Sequence, residues 1–212
     1  MKLRLGDREL NSNIILAPMA GGTDLPFRLL CHEQGAGMAV TEMVSAKAIL
    51  YKNKNTKELM AVDPAEGPVA VQLFGSDPEI MAEIAAQIED GPFAAIDVNM
   101  GCPVPNVAER GKGSGLILRP EVAAELIDAA KAGGLPVSVK TRIGFTEMAE
   151  MEAWITHLLE QDIANLSIHL RTRKEMSKVD AHWEVIPQIM AIRDRVAPQT
   201  TITINGDIPD RQ

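Results

Sequence analysis

The sequence predicts an α/β protein built as an incomplete (β/α)8 TIM barrel, and three observations support this prediction. Short apolar runs alternate with amphipathic stretches along the chain, which is typical of a parallel sheet covered by helices on both faces. About seven strand–helix units fit into 212 residues, which favours a barrel over a doubly wound sheet. A complete barrel needs eight units and about 250 residues. We therefore expect one truncated domain over residues 1–212 that lacks the eighth unit.

Each predicted strand is a short apolar run, and each predicted helix has one apolar face. The predicted strands are Ile14–Ala17, Met38–Glu42, Pro68–Leu73, Ala94–Val98, Pro136–Lys140, Ala164–Ile168 and Thr201–Asn205. The predicted helices are one that begins at Asp24, and Ala46–Met60, Ile80–Ile88, Glu121–Ala132, Glu147–Gln161 and Trp183–Val196. Asp followed closely by Pro, at Asp24 and again at Asp77, is a typical helix start.

The composition narrows the functional classes. The chain has 21 basic and 29 acidic residues, a net charge of -8, so it offers no broad basic surface for nucleic acid. Its two cysteines, Cys31 and Cys102, form neither a disulfide framework nor a paired metal-ligand spacing. The first residues are too polar for a signal peptide, and no apolar run approaches the length of a membrane span. We expect a monomeric cytoplasmic protein without membrane or metal partners.

The stretch Ala94–Asn106 presents a thiol on a stiff loop just beyond the carboxyl end of a strand. The apolar run Ala94–Val98 predicts a buried parallel strand, which Gly101-Cys102-Pro103 and Pro105 end. A lone cysteine is more often a small buried hydrophobic residue. The flanking Asn99 and the rigid turn favour a chemical role for Cys102, because burying a thiol needs neither.

Polar side chains also follow the other predicted strands, at the end where barrel enzymes have their active sites. Those that share this position are Glu42, Gln72, Asn99, Cys102, Lys140, His169 and Asn205-Gly206-Asp207. Each one alone is readily explained as a solvated charge or a satisfied structural group. An amide, a thiol, an ammonium and an imidazole at successive strand ends together predict a site. The glycine-rich segment Gly111–Gly115 is either a phosphate-binding loop or a flexible connector.

Several segments occur in the same order in one enzyme family. They are Ala17–Asp24, Thr41–Met43, Val71–Gly75, Asp97–Pro103, Val139–Gly144, Ile168–His169 with Arg171–Arg173, and Asn205–Asp207. They resemble the tRNA-dihydrouridine synthases, flavin-dependent enzymes that reduce particular uridines in transfer RNA, and look closest to the general bacterial branch. The resemblance implies an FMN-binding barrel followed by a small helical domain that grips tRNA. We expect this helical domain to be missing from residues 1–212.

The resemblance also implies roles for individual residues. The cofactor-binding residues would be Pro18, Met19, Ala20, Gln72, Lys140, His169, Asn205, Gly206 and Asp207. Asn99 and Arg171 would contact the substrate, and Cys102 would be the general acid. An ordinary thiol, with a pKa of roughly 8.5, is mostly protonated at neutral pH and can donate a proton to carbon 5 of uracil. Hydride would come from reduced FMN, NADPH would re-reduce the flavin, and the target base would leave its stack.

Two other functions remain open. Another FMN barrel acting on a small cyclic substrate such as a dihydropyrimidine fits Cys102 and Lys140 equally well. A non-catalytic RNA-binding module is the second alternative.

The chain departs from the family pattern in places. Asn106 stands where the family usually has Lys, and Leu170 where it has Gly. These departures lie on the side that the resemblance assigns to the substrate.

Overall fold

Strands and helices alternate along the chain, as the apolar pattern predicts. The computed structural model describes residues 3–208. Its strands are β1 (Arg4–Leu5), β2 (Arg8–Glu9), β3 (Ile15–Leu16), β4 (Met38–Val40), β5 (Val44–Ser45), β6 (Val69–Phe74), β7 (Ala95–Met100), β8 (Val137–Arg142), β9 (Asn165–His169) and β10 (Thr201–Asn205). Its α-helices are α1 (Leu25–Glu33), α2 (Ala46–Leu50), α3 (Lys54–Leu59), α4 (Pro78–Ile88), α5 (Pro105–Ala108), α6 (Pro120–Lys131), α7 (Met151–Leu159) and α8 (Ile186–Val196). Short 3-10 helices cover Gly113–Leu118, Met148–Glu150 and Trp183–Val185.

A curled parallel sheet forms the frame of the molecule. Its strands lie in the order β10-β9-β8-β7-β6-β4-β3, so each strand pairs with its neighbour in the chain, and the short β5 also pairs with β6. The ladders along this path are parallel. Within residues 3–208, no ladder joins β3 to β10. The predicted fold class, an incomplete barrel of about seven units, is confirmed.

Helices cover the outer face of this sheet. Every second residue of the central strands is apolar, because successive side chains in a strand point to opposite faces. These residues form one buried cluster with helix side chains, including Val71, Leu73, Ile96, Val98, Val139, Met81, Ile84, Leu126 and Leu158. Burying an aliphatic side chain of this size stabilises the fold by about 1.5–3 kcal/mol. The outer core therefore provides most of the hydrophobic stabilisation.

An amino-terminal hairpin closes the interior at the amino ends of the strands. β1 and β2 pair antiparallel, and the neighbouring Leu5 and Leu10 are buried in a small cluster with Met38. The hydroxyl of Thr201, the first residue of β10, donates to the carbonyl oxygen of Arg4 at 3.0 Å. The sequence pattern does not predict this hairpin, since its two-residue strands are too short to show a period.

The predicted helix Ala46–Met60 is wrong, because two short helices, α2 and α3, occupy this stretch. Lys52 between them has a φ of 54°, which no α-helix accommodates. Asn53 then caps α3, its side chain accepting from the N–H of Asn55 at 3.0 Å. Lys52 and Asn53 thus end one helix and start another.

Neither alternative for Gly111–Gly115 describes what the structure contains. Gly113–Leu118 is a 3-10 helix whose first three residues are buried. Its backbone N–H groups have protein partners, since Ser114 donates to the carbonyl of Cys102 at 3.1 Å and Gly115 to that of Lys112 at 3.0 Å. The segment is a packed part of the interior beside Cys102.

Candidate active site

A cavity of about 420 Å³ opens at the carboxyl ends of the strands. Most of the predicted site residues line it, namely Pro18, Met19, Ala20, Gln72, Asn99, Cys102, Lys140, His169 and Asn205. Three of them, Arg171, Gly206 and Asp207, are not among its lining residues. A larger hollow of about 630 Å³ lies near Arg4 and Thr201 at the amino ends of the strands, but it gathers none of the predicted groups. The smaller cavity is therefore the candidate site.

The interior face of the sheet below this cavity is polar. Gln72, Asp97 and Ser138 are register partners on β6, β7 and β8, so their side chains form a row across three strands. Gln72 Nε2 donates to Asp97 Oδ2 at 2.7 Å, and Ser138 Oγ donates to Asp97 Oδ1 at 2.5 Å. Burial raises the pKa of Asp97, while these two hydrogen bonds and the charge of Lys140 lower it. Barrel interiors are usually filled by branched aliphatic residues, so this row is unusual.

Asn99 connects this row to the loop that carries Cys102. Its Nδ2 donates to Gln72 Oε1 at 2.9 Å. Its Oδ1 accepts from the backbone N–H groups of Gly101 at 3.2 Å and Cys102 at 3.0 Å. The side chain predicted to contact the substrate therefore also holds the loop in place.

The other side of the Cys102 peptide is held by the 3-10 helix. The carbonyl oxygen of Cys102 accepts from both the N–H and the hydroxyl of Ser114, at 3.1 and 2.8 Å. Gly113 packs so closely that a Cβ there would lie 2.9 Å from the Cβ of Cys102, and its φ of 53° suits glycine. The backbone of Cys102 is thus fixed at its N–H, at its carbonyl and by contact with Gly113.

Lys140 is the cation of the cavity. Its ammonium donates to Asn205 Oδ1 at 2.8 Å, which joins β8 to the last described strand, β10. Burial lowers the pKa of Lys140 to about 8, and nearby Arg142 lowers it as well, whereas Asp97 raises it. An ammonium has three N–H donors, and within residues 3–208 this one makes a single hydrogen bond. The remaining donors are available to a ligand.

His169 is a neutral side chain beside several cations. Burial, together with the charges of Arg142, Lys140 and Arg171, lowers its pKa to about 3, although the charge of Asp207 raises it. Arg171 Nη1 lies 3.2 Å from His169 Nε2. A guanidinium can only donate, so Nε2 accepts and the proton is on Nδ1. His169 can therefore accept a hydrogen bond in this site at neutral pH but cannot act as a cationic acid.

Arg171 and Asp207 form an ion pair next to His169 and outside the cavity lining. Asp207 Oδ2 also accepts from the N–H of Ala181 at 2.9 Å, and Arg171 Nε donates to the carbonyl of Val179 at 2.6 Å. The hydrogen bond from Arg171 holds the pKa of Asp207 below its usual range. The pair ties the end of β10 to the loop that follows β9.

The sequence analysis assigns no role to several residues of the site. They are Met43, Asp97, Ser114, Ser138, Thr141 and Arg142. Arg142 Nε donates to the carbonyl of Gly101 at 2.9 Å, and its Nη1 donates to the carbonyls of Thr172 and Met176 at 3.2 and 3.3 Å. Arg142 therefore links the cysteine loop to the loop after β9. A charged residue in an otherwise apolar run, as at Asp97, is the signal that could have identified part of this set.

The two departures from the family pattern lie away from the cavity lining. Leu170 is fully buried in the outer core with the helices. Its backbone N–H donates to the carbonyl of Asn205 at 3.2 Å, so its side chain and its peptide have separate roles. Asn106 lies in α5 and is exposed.

Searches of the described residues for membrane and metal features find neither. Across 3–208, none of the helices combines the length and apolar character needed to cross a bilayer. The same stretch contains no group of three or more His, Cys, Asp and Glu side chains arranged to hold a metal ion.

The solved structures with a similar fold have low sequence identity to this chain. A variant of NCR from Zymomonas mobilis superposes with a TM-score of 0.58 at 13% identity, covering 97% of this chain and 78% of that one. Histamine dehydrogenase from Rhizobium sp. 4-9 superposes with a TM-score of 0.52 at 9% identity, covering 96% of this chain and 41% of that one. At these identities the likeness concerns the fold alone.

Sequence comparison finds relatives of much higher identity in one enzyme family. The chain is 53% identical over 201 residues to the probable tRNA-dihydrouridine synthase 2 of Bacillus subtilis strain 168, covering 93% of this chain and 62% of the relative. It is 52% identical over 201 residues to the probable tRNA-dihydrouridine synthase of Staphylococcus aureus strain N315, covering 93% and 61%. The chain thus spans about 62% of the length of the curated relatives that it matches. The family model for dihydrouridine synthase matches residues 15–212. The chain belongs to the dihydrouridine synthase family.

Proposed function

We propose that residues 1–212 are the FMN-binding catalytic barrel of an enzyme that reduces specific uridines of tRNA to 5,6-dihydrouridine, with NADPH as the reductant. One observation carries the proposal. In a chain of this family, Cys102 lies on a loop with a fixed backbone, in the same cavity as Gln72 and Lys140. A proton donor and groups suited to a flavin thus face one space. A tRNA substrate and NADPH also imply a cytoplasmic enzyme.

The lining of the cavity fits FMN. Its volume of about 420 Å³ is within the range of cofactor sites. Pro18 and Met19 supply apolar surface for a flat ring, and Met19 is 45% exposed within the described chain. Gln72 keeps one amide N–H beyond its bond to Asp97, and Lys140 keeps N–H donors beyond its bond to Asn205. This combination of apolar surface and convergent donors is what an isoalloxazine ring requires.

The charges of the site favour an electron-rich ligand. Lys140, Arg142 and Arg171 lie close enough together to lower the pKa of His169 jointly. When bound, FMN would supply the reducing equivalents for the uracil ring. The positive charge of Lys140 would favour an anionic form of that ring system. Asn205 holds the ammonium toward the strand ends, so its charge is directed into the cavity.

Cys102 is the best candidate for the proton donor. Reducing the 5,6 double bond of uracil adds a hydride at carbon 6 and a proton at carbon 5, and the proton must come from an acid. His169 is neutral, with its pKa lowered to about 3, so it is a poor choice at neutral pH. We assign Lys140 to the flavin ring, and Arg142 donates to the carbonyl oxygens of Gly101, Thr172 and Met176. We therefore assign the proton donor to the Cys102 thiol, which lines the same cavity on its clamped loop.

The target uridine must reach a recessed site. We infer that the base leaves its stack, as in other enzymes that act on single bases. The chain has a net charge of -8, so it is poorly suited to attract a polyanion by itself. Most of the tRNA-binding surface is therefore expected outside these residues.

The proposal is tested with protein expressed from the complete reading frame. We expect a yellow protein with bound FMN that forms dihydrouridine in unmodified tRNA when NADPH is supplied. Mapping the modified positions identifies the substrate uridine. A protein that binds no flavin, or that leaves tRNA unchanged under these conditions, would refute the proposal.

The same assay separates the alternative functions. Turnover of free dihydropyrimidines without any need for tRNA would favour a small-molecule oxidoreductase. Restoration of dihydrouridine in a deletion strain by the Cys102→Ala variant would favour a non-catalytic RNA-binding role.

A further inference from the structure

The proposed function gives no role to the buried carboxyl group of Asp97. Asp97 is 3% exposed, in the middle of β7, on the interior face of the sheet. Burying a carboxyl group costs free energy unless it is well hydrogen-bonded. A branched aliphatic residue would fill this part of a barrel without that cost. The position of Asp97 in the hydrogen-bond network indicates what it contributes.

Asp97 lies at one end of a continuous chain of hydrogen bonds that reaches Cys102. Asp97 Oδ2 accepts from Gln72 Nε2 at 2.7 Å, Gln72 Oε1 accepts from Asn99 Nδ2 at 2.9 Å, and Asn99 Oδ1 accepts from the backbone N–H of Cys102 at 3.0 Å. Gln72, Asp97 and Asn99, the side chains that form this series of hydrogen bonds, are each at least nine-tenths buried. The loop carrying the thiol is thus connected to the carboxyl group through two amides.

The groups at the two ends of this series of hydrogen bonds, Asp97 and the Cys102 N–H, determine the orientation of both amides. A backbone N–H can only donate, so Asn99 must present its oxygen to the loop and its nitrogen to Gln72. Gln72 must then present its oxygen to Asn99 and its nitrogen to the interior, where only an acceptor satisfies it. Asp97 is that acceptor. A residue without an acceptor at this position would leave the Gln72 nitrogen unpaired and allow its amide to rotate.

We propose that Asp97 is a positioning residue that, through the Gln72 and Asn99 amides, holds the Cys102 loop in its reactive position. The same contact sets which donor of Gln72 faces the cavity. This inference rests on the proposed function for its catalytic meaning, but the placement of the loop can be measured without turnover.

The test uses two substitutions at position 97 that differ in one property. Asp97→Asn keeps an acceptor for Gln72, since its nitrogen can donate to the Ser138 hydroxyl. Asp97→Val removes the acceptor and substitutes a residue typical of barrel interiors. Replacing a buried charge by an apolar residue of similar size is often neutral for stability. Both variants are made in a Cys31→Ala background, which leaves Cys102 as the only thiol within residues 1–212, and labelling of Cys102 itself is followed by peptide mass spectrometry.

The first measurement is the alkylation rate of Cys102 by iodoacetamide at pH 7 in the purified full-length protein. Asp97→Val should react about tenfold faster than the background protein, because release of the loop increases access to the thiol. Asp97→Asn should stay within about threefold. If Asp97→Val does not fold, Gln72→Met breaks the same series of hydrogen bonds at the next residue. It should show the same tenfold increase in the alkylation rate of Cys102.

The second measurement is steady-state formation of dihydrouridine. Asp97→Val should lower kcat by about 10²-fold with KM for tRNA unchanged, since a small misplacement of a reacting group has effects of this size. Asp97→Asn should largely retain kcat. Wild-type alkylation and turnover in a variant without an acceptor would overturn the proposal. Equal defects in Asp97→Asn and Asp97→Val would also overturn it, because charge would then be the property that matters.

The two measurements separate failure of this inference from failure of the proposed function. A background protein that makes no dihydrouridine counts against the function alone. The alkylation comparison still decides whether Asp97 holds the loop.

Discussion

The two faces of the same sheet differ in almost every property. On the outer face, Val71, Ile96 and Val139 pack against helices in one apolar cluster. On the inner face, the register partners Gln72, Asp97 and Ser138 form a buried polar row. Apolar burial stabilises a fold, whereas buried polar groups at best recover the cost of their desolvation. The outer face therefore provides most of the stability, and the inner face holds the polar groups that border the candidate site.

The sharpest test of this division is Cys102→Ala. Removing a general acid lowers turnover by about 10²- to 10⁴-fold, so we expect dihydrouridine formation to fall by that amount. The thiol is only half-buried, so the free energy of unfolding should be nearly unchanged and flavin should stay bound. Turnover is followed by dihydrouridine mapping, and stability by denaturant unfolding. Wild-type turnover in this variant would contradict the assignment of Cys102 as the acid.

The converse substitution on the outer face is Leu126→Ala. Leu126 of α6 is fully buried in the outer core. Truncating such a leucine lowers the free energy of unfolding by about 2–5 kcal/mol. At temperatures where the variant is folded, kcat per folded molecule should match the wild type. A loss of kcat in the folded variant would show that the two faces are not independent.

Gly113→Ala tests the contact between the 3-10 helix and the cysteine loop. A Cβ at Gly113 would lie 2.9 Å from the Cβ of Cys102 and 3.0 Å from its carbonyl oxygen, so the loop must shift. The left-handed backbone conformation adds about 1–2 kcal/mol of destabilisation. We expect this loss of stability together with reduced turnover.

Gly134→Ala is the matched control. Gly134 also has a positive φ, of 70°, but a Cβ there would meet only the flexible side chain of Glu89, at 2.7 Å. This variant should lose a similar amount of stability and keep its turnover. Equal turnover in the two variants would mean that contact with Gly113 does not position Cys102.

The smallest expected effect is a pH dependence set by Lys140. Its pKa is lowered to about 8, so in the absence of ligand the ammonium loses its charge as the pH rises through 8. Retention of FMN should therefore weaken severalfold between pH 7 and pH 9, as measured by flavin fluorescence on dilution. Lys140→Met should retain flavin more weakly and lack this dependence.

The free energy of unfolding should increase with pH, in contrast to the retention of FMN. The unfolded chain keeps the Lys140 proton up to the ordinary pKa of 10.5, whereas the folded chain loses it near 8. Stability relative to Lys140→Met should therefore rise with pH between these values. A wild-type profile parallel to that of Lys140→Met in both measurements would contradict the role of this lysine.

The sequence pattern was most reliable where it was periodic. Seven of the eight strands of the parallel sheet were predicted, all except the short β5, because each of the seven is an apolar run bounded by turn residues. The prediction failed where local signals were weak or contradictory. The stretch Ala46–Met60 has helical composition throughout, but the left-handed Lys52 divides it. The β1–β2 hairpin is too short to have a period.

For the site, the sequence indicated the residues that end strands but not the residues that connect them. Cys102, Gln72 and Lys140 were identified from their motifs and strand ends, and the structure gathers them around one cavity. Asp97 and Ser138 were given no role because each lies between two apolar residues within a strand and not at the end of the strand. Only the parallel register of β6, β7 and β8 shows that Asp97 meets Gln72 and that Ser138 meets Asp97.

By itself, the sequence determined the order of the elements, the class of the fold and the end of the sheet where the candidate site lies. These follow from local properties: the period of apolar residues, the turn residues, and the position of polar groups after strands. Only the tertiary structure decided how the polar groups pair, which peptide of the cysteine loop is held by Asn99 and Ser114, and which charges lower the pKa of His169. Those facts depend on distances between residues far apart in the chain, and no local pattern encodes them.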